Sequence, residues 1–409
     1  MNILLINHYA GGPTMGMEFR PYYLAREWVK QGHTVCIVGG SYSHLRTNQP
    51  SVPKNFTIEI SENVKYIWLK TPQYSSSGFK RFLSMLVFVF KVYRYKKKIL
   101  RELVPDVVIA SSTYPIDIYP ARSITKKAKA KLCFELHDLW PLSPMLIGGY
   151  SKWHPFIMLM QAGENYACKK SDVVVSLLDN AKAHLMEHGM TAEKFHCVPN
   201  GFLMSEYNEK ENMPKNLEKL VKELKQQGKF LIGYAGGFNQ STAIHVLIEA
   251  AKKLISNKNL AFVLVGKGNE SSRLAQLIKD YNLDNIFILE PINKKAVFVF
   301  LREMDVLYIG GINSELHKHG IAPNKLVDYM LSAKPIVQSI NLEENNLVTK
   351  LSCGITVPAE SADAVANAIE KLASCTEQER IEMGQRGFEH AYNNLNYETL
   401  AQKFIQALN

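Results

Sequence analysis

The run Phe230-Leu231-Ile232-Gly233-Tyr234-Ala235-Gly236-Gly237 is apolar and ends on paired glycines. Helical periodicity follows over Ala243 to Leu254, so the stretch reads as a strand, a glycine turn and a helix. The same device opens the chain. Ile3 to Ile6 is apolar, and Gly11 and Gly12 come after it. A helix then carries Pro21 in its first turn, Leu24, Ala25, Trp28 and Val29 on one face, and Gly32 just past its end. The pattern therefore starts afresh near residue 230, and that restart divides the chain in two.

Outward from these two anchors, further strands are predicted. Thr34 to Val38, Val107 to Ala110, Leu132 to Leu136 and Val173 to Leu177 belong to the first half. Ala261 to Val265, Ile286 to Leu289, Val306 to Ile309, Pro335 to Gln338 and Ile355 to Val357 belong to the second. Continuous apolar strands spaced by helices imply parallel sheets covered on both faces. The expected architecture is α/β: two Rossmann-like doubly wound domains facing across a cleft. The first spans residues 1–203 and the second 204–393, with the C-terminal helix, about 394–409, packing back on the first. Val198-Pro199-Asn200-Gly201 marks the junction, and the polar stretch 205–228 reads as a linker plus a helix. Ligands of such sheets bind at the carboxyl ends of the strands.

Composition narrows the class. A length of 409 residues suits two domains of about 200 each. With 46% hydrophobic and 21% charged residues, the chain is globular rather than disordered or membrane-spanning. The six cysteines are scattered without a Cys-x-x-Cys pair, which argues against a zinc knuckle or redox motif and for a reduced, cytoplasmic setting. The N terminus lacks a basic head and cleavage site and reads as a strand.

A net charge of +10 favours anionic partners, and its distribution is uneven: eight basic residues and no acidic one lie between Lys80 and Arg101. In the same segment Phe79, Phe82, Leu83, Leu86, Phe90 and Tyr93 fall near helical spacing. One reading is a basic amphipathic helix, about residues 79–102, on an anionic membrane surface; the other is a core helix with a solvated basic end. Lysine next to an apolar run fits lipid better than nucleic acid, which calls for aromatic or arginine-rich stripes.

The most informative stretch for chemistry runs from His319 through Gly320, Pro323, Asn324, Lys325 and Asp328 to Met330. Pro323 is placed to open a helix that buries Leu326, Val327, Met330 and Leu331 and projects Asn324, Lys325 and Asp328 on another face. A helix start with a first-turn lysine suits a diphosphate, and an acidic residue beyond it can accept hydrogen bonds from ribose hydroxyls. Spacing alone equally allows a surface helix with a solvated lysine and aspartate. Gly236, Gly237 and Asn239 follow one strand, and Gly266 and Lys267 follow another; glycines there let backbone amides approach a phosphate. Glu135-Leu136-His137-Asp138 closes a strand in the first half with an imidazole beside a carboxylate. Gly11 and Gly12 lack the Gly-x-Gly-x-x-Gly spacing of a dinucleotide site.

These segments resemble the donor-binding signature of family-4 retaining glycosyltransferases, enzymes of the GT-B architecture. Asp328 matches the second acidic position of that signature, which the resemblance assigns to the nucleotide ribose. The first acidic position falls on Gly320, with His319 and Glu315 as the neighbouring polar groups. Where many members carry Arg and Lys after the first glycine loop, this chain has Asn239 and Gln240, which leaves Lys325 and Lys267 to supply positive charge. The variant around Asn324 resembles a branch that builds bacterial O-antigen and capsule units with amino sugars. The resemblance implies roles for His137 and Asp138 near the donor sugar, for Gly11 and Gly12 on the transferred-group side, and for Arg20 toward an anionic acceptor. Glu164 matches a recurring family position.

The implied activity is metal-independent, retaining transfer of an N-acetylated amino sugar from a nucleotide diphosphate, UDP favoured, to a lipid-linked or saccharide acceptor. It needs no cofactor and would take place on the inner face of the cell membrane. A sugar-nucleotide epimerase of the same architecture and a non-catalytic lipid- or nucleotide-binding protein are the alternatives.

Overall fold

The computed structural model describes residues 1–16, 19–74, 78–209, 211–321, 324–342 and 346–409. Pro323, expected to open a helix, lies outside the described residues. Two compact units are present: Met1–Pro199 with Tyr397–Asn409, and Asn200–Asn396.

The first unit is built on strands β1 (Asn2–Ile6), β2 (Thr34–Gly40), β3 (Thr57–Ser61), β4 (Val64–Leu69), β5 (Val107–Ala110), β6 (Lys131–Leu136), β7 (Val173–Ser176) and β8 (Phe195–Cys197). They form one sheet in the order β3-β4-β2-β1-β5-β6-β7-β8. Every pairing is parallel except β3 with β4. The central strands are apolar throughout because helices cover both faces; Leu4, Ile37, Val108 and Val174 are wholly buried. The strand order reverses between β1 and β5, which opens a crevice at their carboxyl ends.

Sequence patterning missed β3, β4 and β8. Strand β3 lies on the sheet edge and leaves Ile58 and Ile60 exposed, so its alternation is not matched to burial. Its turn to β4 uses Glu62 and Asn63 at φ 48° and 66°, left-handed residues of a two-residue hairpin without the glycine that usually signals one.

The last helix, Tyr397–Leu408, belongs to the first unit. It packs on the helix Arg20–Lys30: Trp28 donates through Nε1 to the Ala401 carbonyl at 3.2 Å and meets the Phe404 ring edge-on at 5.1 Å between centroids. Tyr23 lies against Tyr397 in the same contact.

The second unit contains β9 (Phe230–Ala235), β10 (Leu260–Val265), β11 (Ile286–Leu289), β12 (Val306–Gly310), β13 (Ile336–Ser339) and β14 (Gly354–Val357). The order is β11-β10-β9-β12-β13-β14, all parallel. One face packs Leu231, Val263 and Leu307 on Leu326 and Met330; the other packs Ile232, Phe262 and Val306 on Leu247 and Ile369. The order reverses between β9 and β12, so the loop after β9 sits at the switch point.

Phe404 is wholly buried, and Phe404→Ala should destabilise the first unit by about 3–5 kcal/mol. Denaturant unfolding followed by tryptophan fluorescence checks this, since Trp28 reports the contact directly.

Candidate functional site

In the second unit, three segments converge on one cavity of about 330 Å³. The loop after β9 contributes Gly236 and Gly237. The loop after β10 contributes Gly266 and Lys267. The helix Asn324–Leu331 contributes Asn324, Lys325 and Asp328. A fourth segment, unforeseen from sequence, completes the wall with Pro291, Ile292, Lys294 and Val297. It carried no glycine or motif signal; Lys294 stands at the start of an ordinary amphipathic helix capped by Asn293.

Glycine is required in this cavity by contact. A Cβ on Gly236, where φ is +152°, would stand 2.0 Å from Cε of Lys325. A Cβ on Gly266 would stand 1.9 Å from the Gly236 carbonyl oxygen. The two loops and the lysine thus occupy space that any side chain would fill. Phe238 donates its backbone N–H to the Lys267 carbonyl at 3.1 Å, which locks one loop on the other.

Lys325 extends across this cradle to donate to Oη of Tyr234 at 2.9 Å, with its ammonium over the same ring at 5.0 Å. Tyr234 in turn donates to the Gly237 carbonyl at 2.7 Å. Among the described residues no carboxylate lies within ion-pair distance of Lys325. Burial pulls its pKa down to about 8. Asp328, one turn along, is mostly buried, and desolvation raises its pKa against the pull of Lys294 at 3.9 Å. Tyr329, which the sequence reading passed over, accepts from the Ala235 N–H at 2.9 Å and so fixes the helix to the end of β9.

Of three further residues expected at this site, Asn239 keeps its side-chain amide beside Gly237, 2.8 Å from where a Cβ on that glycine would stand, while its backbone N–H and carbonyl bond Oγ1 of Thr242. His319 ends the single-turn helix Glu315–His319, and Gly320, at φ 94°, turns the chain after it; neither lines the cavity. Lys267 does line it, but its ammonium pairs with Glu290 at 3.5 Å in an exposed position.

In the first unit a second polar cluster sits at the end of β6. Glu135 is wholly buried and takes Nε of Arg20 at 2.9 Å on one oxygen. Its other oxygen accepts from Ser111 Oγ at 2.6 Å and lies 3.2 Å from Nε2 of His137. Burial pushes the Glu135 carboxyl up, but Arg20, then His137 and Ser111, outweigh it and hold the pKa at about 2. Asp138 spends one carboxylate oxygen on the Leu139 N–H and Ser143 Oγ, which caps the turn into the following short helix.

The expectation that Arg20 meets an anionic acceptor is corrected. Its side chain is buried and bonds Glu135, the Pro199 carbonyl at 2.6 Å and the Val198 carbonyl at 2.8 Å. All three guanidinium nitrogens are engaged inside the unit. Gly11 and Gly12 are also buried; the Gly11 carbonyl accepts from Oη of Tyr66 at 3.0 Å.

Comparisons with known proteins bear on these sites. Residues 15–203 match the model of Glycosyltransferase Family 4, and residues 215–390 match that of Glycosyl transferases group 1. Among solved structures the chain is similar to a sucrose-phosphate synthase from Thermosynechococcus elongatus, with a TM-score of 0.73 and 16% identity over 99% of this chain and 97% of that one. It is similar to HepE of Anabaena in complex with UDP, with a TM-score of 0.68 and 15% identity over 100% and 99%. It is also similar to WaaG, a glycosyltransferase involved in lipopolysaccharide biosynthesis, with a TM-score of 0.65 and 14% identity over 100% of both chains. No curated protein matches. The chain is a glycosyltransferase of the GT-B type.

Glu135→Gln removes the partner of a buried guanidinium and should cost about 3–5 kcal/mol. Because the folded pKa lies below the ordinary 4.5, this ion pair stabilises above that pH and is lost as pH falls toward 2. Acid-unfolding curves of the variant should therefore be flatter than wild type between pH 4.5 and 2.

Proposed function

We propose that the second unit holds a uridine diphosphate sugar, and that the enzyme transfers the sugar with retention to a lipid-linked or saccharide acceptor. The observation that carries this is the glycine cradle around Lys325: a mostly buried ammonium whose hydrogen-bond partner among the described residues is a neutral hydroxyl. A buried cation without a counter-charge is costly until an anion arrives, so the cavity is electrostatically set for a diphosphate. Asp328, further along the same helix, takes the ribose hydroxyls, and Lys294 adds a second positive charge at the rim. HepE and its complexes with UDP and UDP-glucose lend weight to the uridine donor.

In the proposed step the bond between the anomeric carbon and the diphosphate oxygen breaks, and the electron pair leaves with the diphosphate. Lys325, the loop amides and the start of the helix Asn324–Leu331 stabilise that charge. The acceptor oxygen bonds the anomeric carbon on the same face, and its proton passes to the departing diphosphate oxygen. The family resemblance assigns His137, which Ser111 and Glu135 hold in place, to the transferred sugar. The N-acetylated amino sugar, and the assignment to O-antigen or capsule synthesis, rest on the resemblance of the stretch Gly320 to Met330.

The helix Phe79–Glu102 supports a membrane-surface reading. It buries Met85, Phe88, Val92 and Ile99 on one face. Phe79, Leu83, Leu86, Phe90 and Tyr93 form an exposed apolar stripe on another, with Phe79 at 75% exposure. A second exposed group, Leu146, Ile147, Tyr150 and Trp153, belongs to the same unit; Phe79 and Tyr150 line one apolar cavity with Arg81 and Phe156. Apolar groups among lysines and arginines suit an anionic bilayer surface. No helix among the described residues is long and apolar enough to cross a membrane.

Thermal-shift measurement against UDP, GDP, dTDP and CDP should show selective stabilisation by UDP, since ligand bound only to folded protein raises the midpoint. Lys325→Met should abolish the shift, and wild-type affinity should weaken as pH climbs through about 8, where the ammonium of the free enzyme loses its proton. Equal stabilisation of wild type and Lys325→Met would sink the site assignment; isomerisation of free donor without acceptor would replace transfer by epimerisation.

Co-flotation with vesicles containing anionic lipid should be seen for wild type and reduced at least tenfold in a Phe79→Ser, Phe90→Ser double variant. Flotation unchanged by those substitutions would remove the helix from membrane binding.

A further inference from the structure

Apart from the donor cavity, the first unit holds a buried cluster that the transfer chemistry does not use. Glu164 lies on the helix Pro155–Lys170 and is wholly buried. His184 and His188 stand four residues apart, in and at the end of the helix Lys182–Glu187, so both imidazoles project from one face. They meet the Glu164 carboxylate: Nε2 of His184 is 2.9 Å from one oxygen, and Nε2 of His188 is 3.8 Å from the other. One ligand atom from each residue falls within 4.8 Å of the others.

We propose that Glu164, His184 and His188 form a binding site for a zinc-class divalent cation that ties these two helices together. Two histidines at i and i+4 with a carboxylate from a second element are a recognised donor set for zinc. Tetrahedral zinc with bonds of about 2.0–2.2 Å sets its donors about 3.3–3.5 Å apart. The two imidazole-to-carboxylate separations, 2.9 and 3.8 Å to the two oxygens of Glu164, lie on either side of that spacing.

The surroundings orient His188 toward the carboxylate. Oδ1 of Asn165 lies 2.9 Å and Nε2 of Gln161 lies 3.1 Å from Nδ1 of His188, which leaves the imidazole Nε2 facing Glu164. These contacts are the kind of outer-shell hydrogen bond that orients a ligating imidazole. Gln161 donates to both Glu164 at 2.8 Å and Asn165 at 2.9 Å, which fixes the carboxylate and the amide together. The site concerns the stability of the first unit and is independent of the donor reading.

The test uses the full-length chain stripped with a chelator and titrated with cobalt(II), then zinc(II). One equivalent of cobalt should bind with the visible absorption of a low-coordinate site, and zinc should displace it. Zinc at about a hundredfold over its Kd should raise the unfolding midpoint of the first unit by about 5–10 °C. His188→Gln, at a side chain 24% exposed, should abolish the absorption and the shift while leaving nucleotide binding as in wild type. Asn165→Ala should weaken cobalt affinity about tenfold. No absorption in wild type would leave the cluster as a plain hydrogen-bonded histidine–carboxylate group, and absorption unchanged in both variants would place the metal elsewhere; either result overturns the proposal.

Discussion

The donor cavity depends on one constraint, the near contact of two strand-end loops with a lysine laid across them. Gly266 and Gly236 meet where neither could carry a Cβ, and Lys325 fills the space above Gly236. The close approach leaves the ammonium mostly buried, and burial without a carboxylate partner pulls its pKa toward neutrality. Tyr234, Tyr329 and the hydrogen bond from Phe238 to Lys267 all hold that geometry. A parallel sheet produces it because the loops after β9 and β10 leave adjacent strands on the same side, beside the point where the strand order reverses.

The first unit is organised by a different interaction. A buried ion pair between Arg20 and Glu135 joins the first long helix to β6, and the same arginine ties down the carbonyls of Val198 and Pro199, where the chain leaves the unit. Glu135 also fixes Ser111 and His137, so one carboxylate serves both the scaffold and the imidazole at the strand end. Buried charges are tolerated here because all three guanidinium nitrogens and both carboxylate oxygens have partners.

The helix Phe79–Glu102 shows where periodicity stops being informative. Its apolar residues recur at helical spacing on more than one face, and the sequence cannot say which face is covered. The structure gives Met85, Phe88 and Val92 to the core and leaves Phe79, Leu83, Leu86, Phe90 and Tyr93 outside. Both readings offered by the sequence are thus present in one element: a core helix on one side and an apolar, basic-flanked surface on the other.

From the sequence alone, the restart of the strand–glycine–helix pattern at Phe230 was enough for two parallel α/β units, since continuous apolar strands and helical spacing are local patterns. The glycines at 236, 237 and 266 and the set Asn324, Lys325 and Asp328 were legible as a candidate site through the family resemblance, since spacing alone equally allowed a tight turn and a solvated surface helix. What the sequence could not supply were contacts across long separations. Arg20 was expected to face an anionic acceptor and is instead an internal tie, because its partners are 115 and 179 residues away. Lys294 and Pro291 gave no motif, yet they wall the cavity. Local chemistry is written along the chain; which charges meet, and which are left without a partner, is decided only when distant strands are laid side by side.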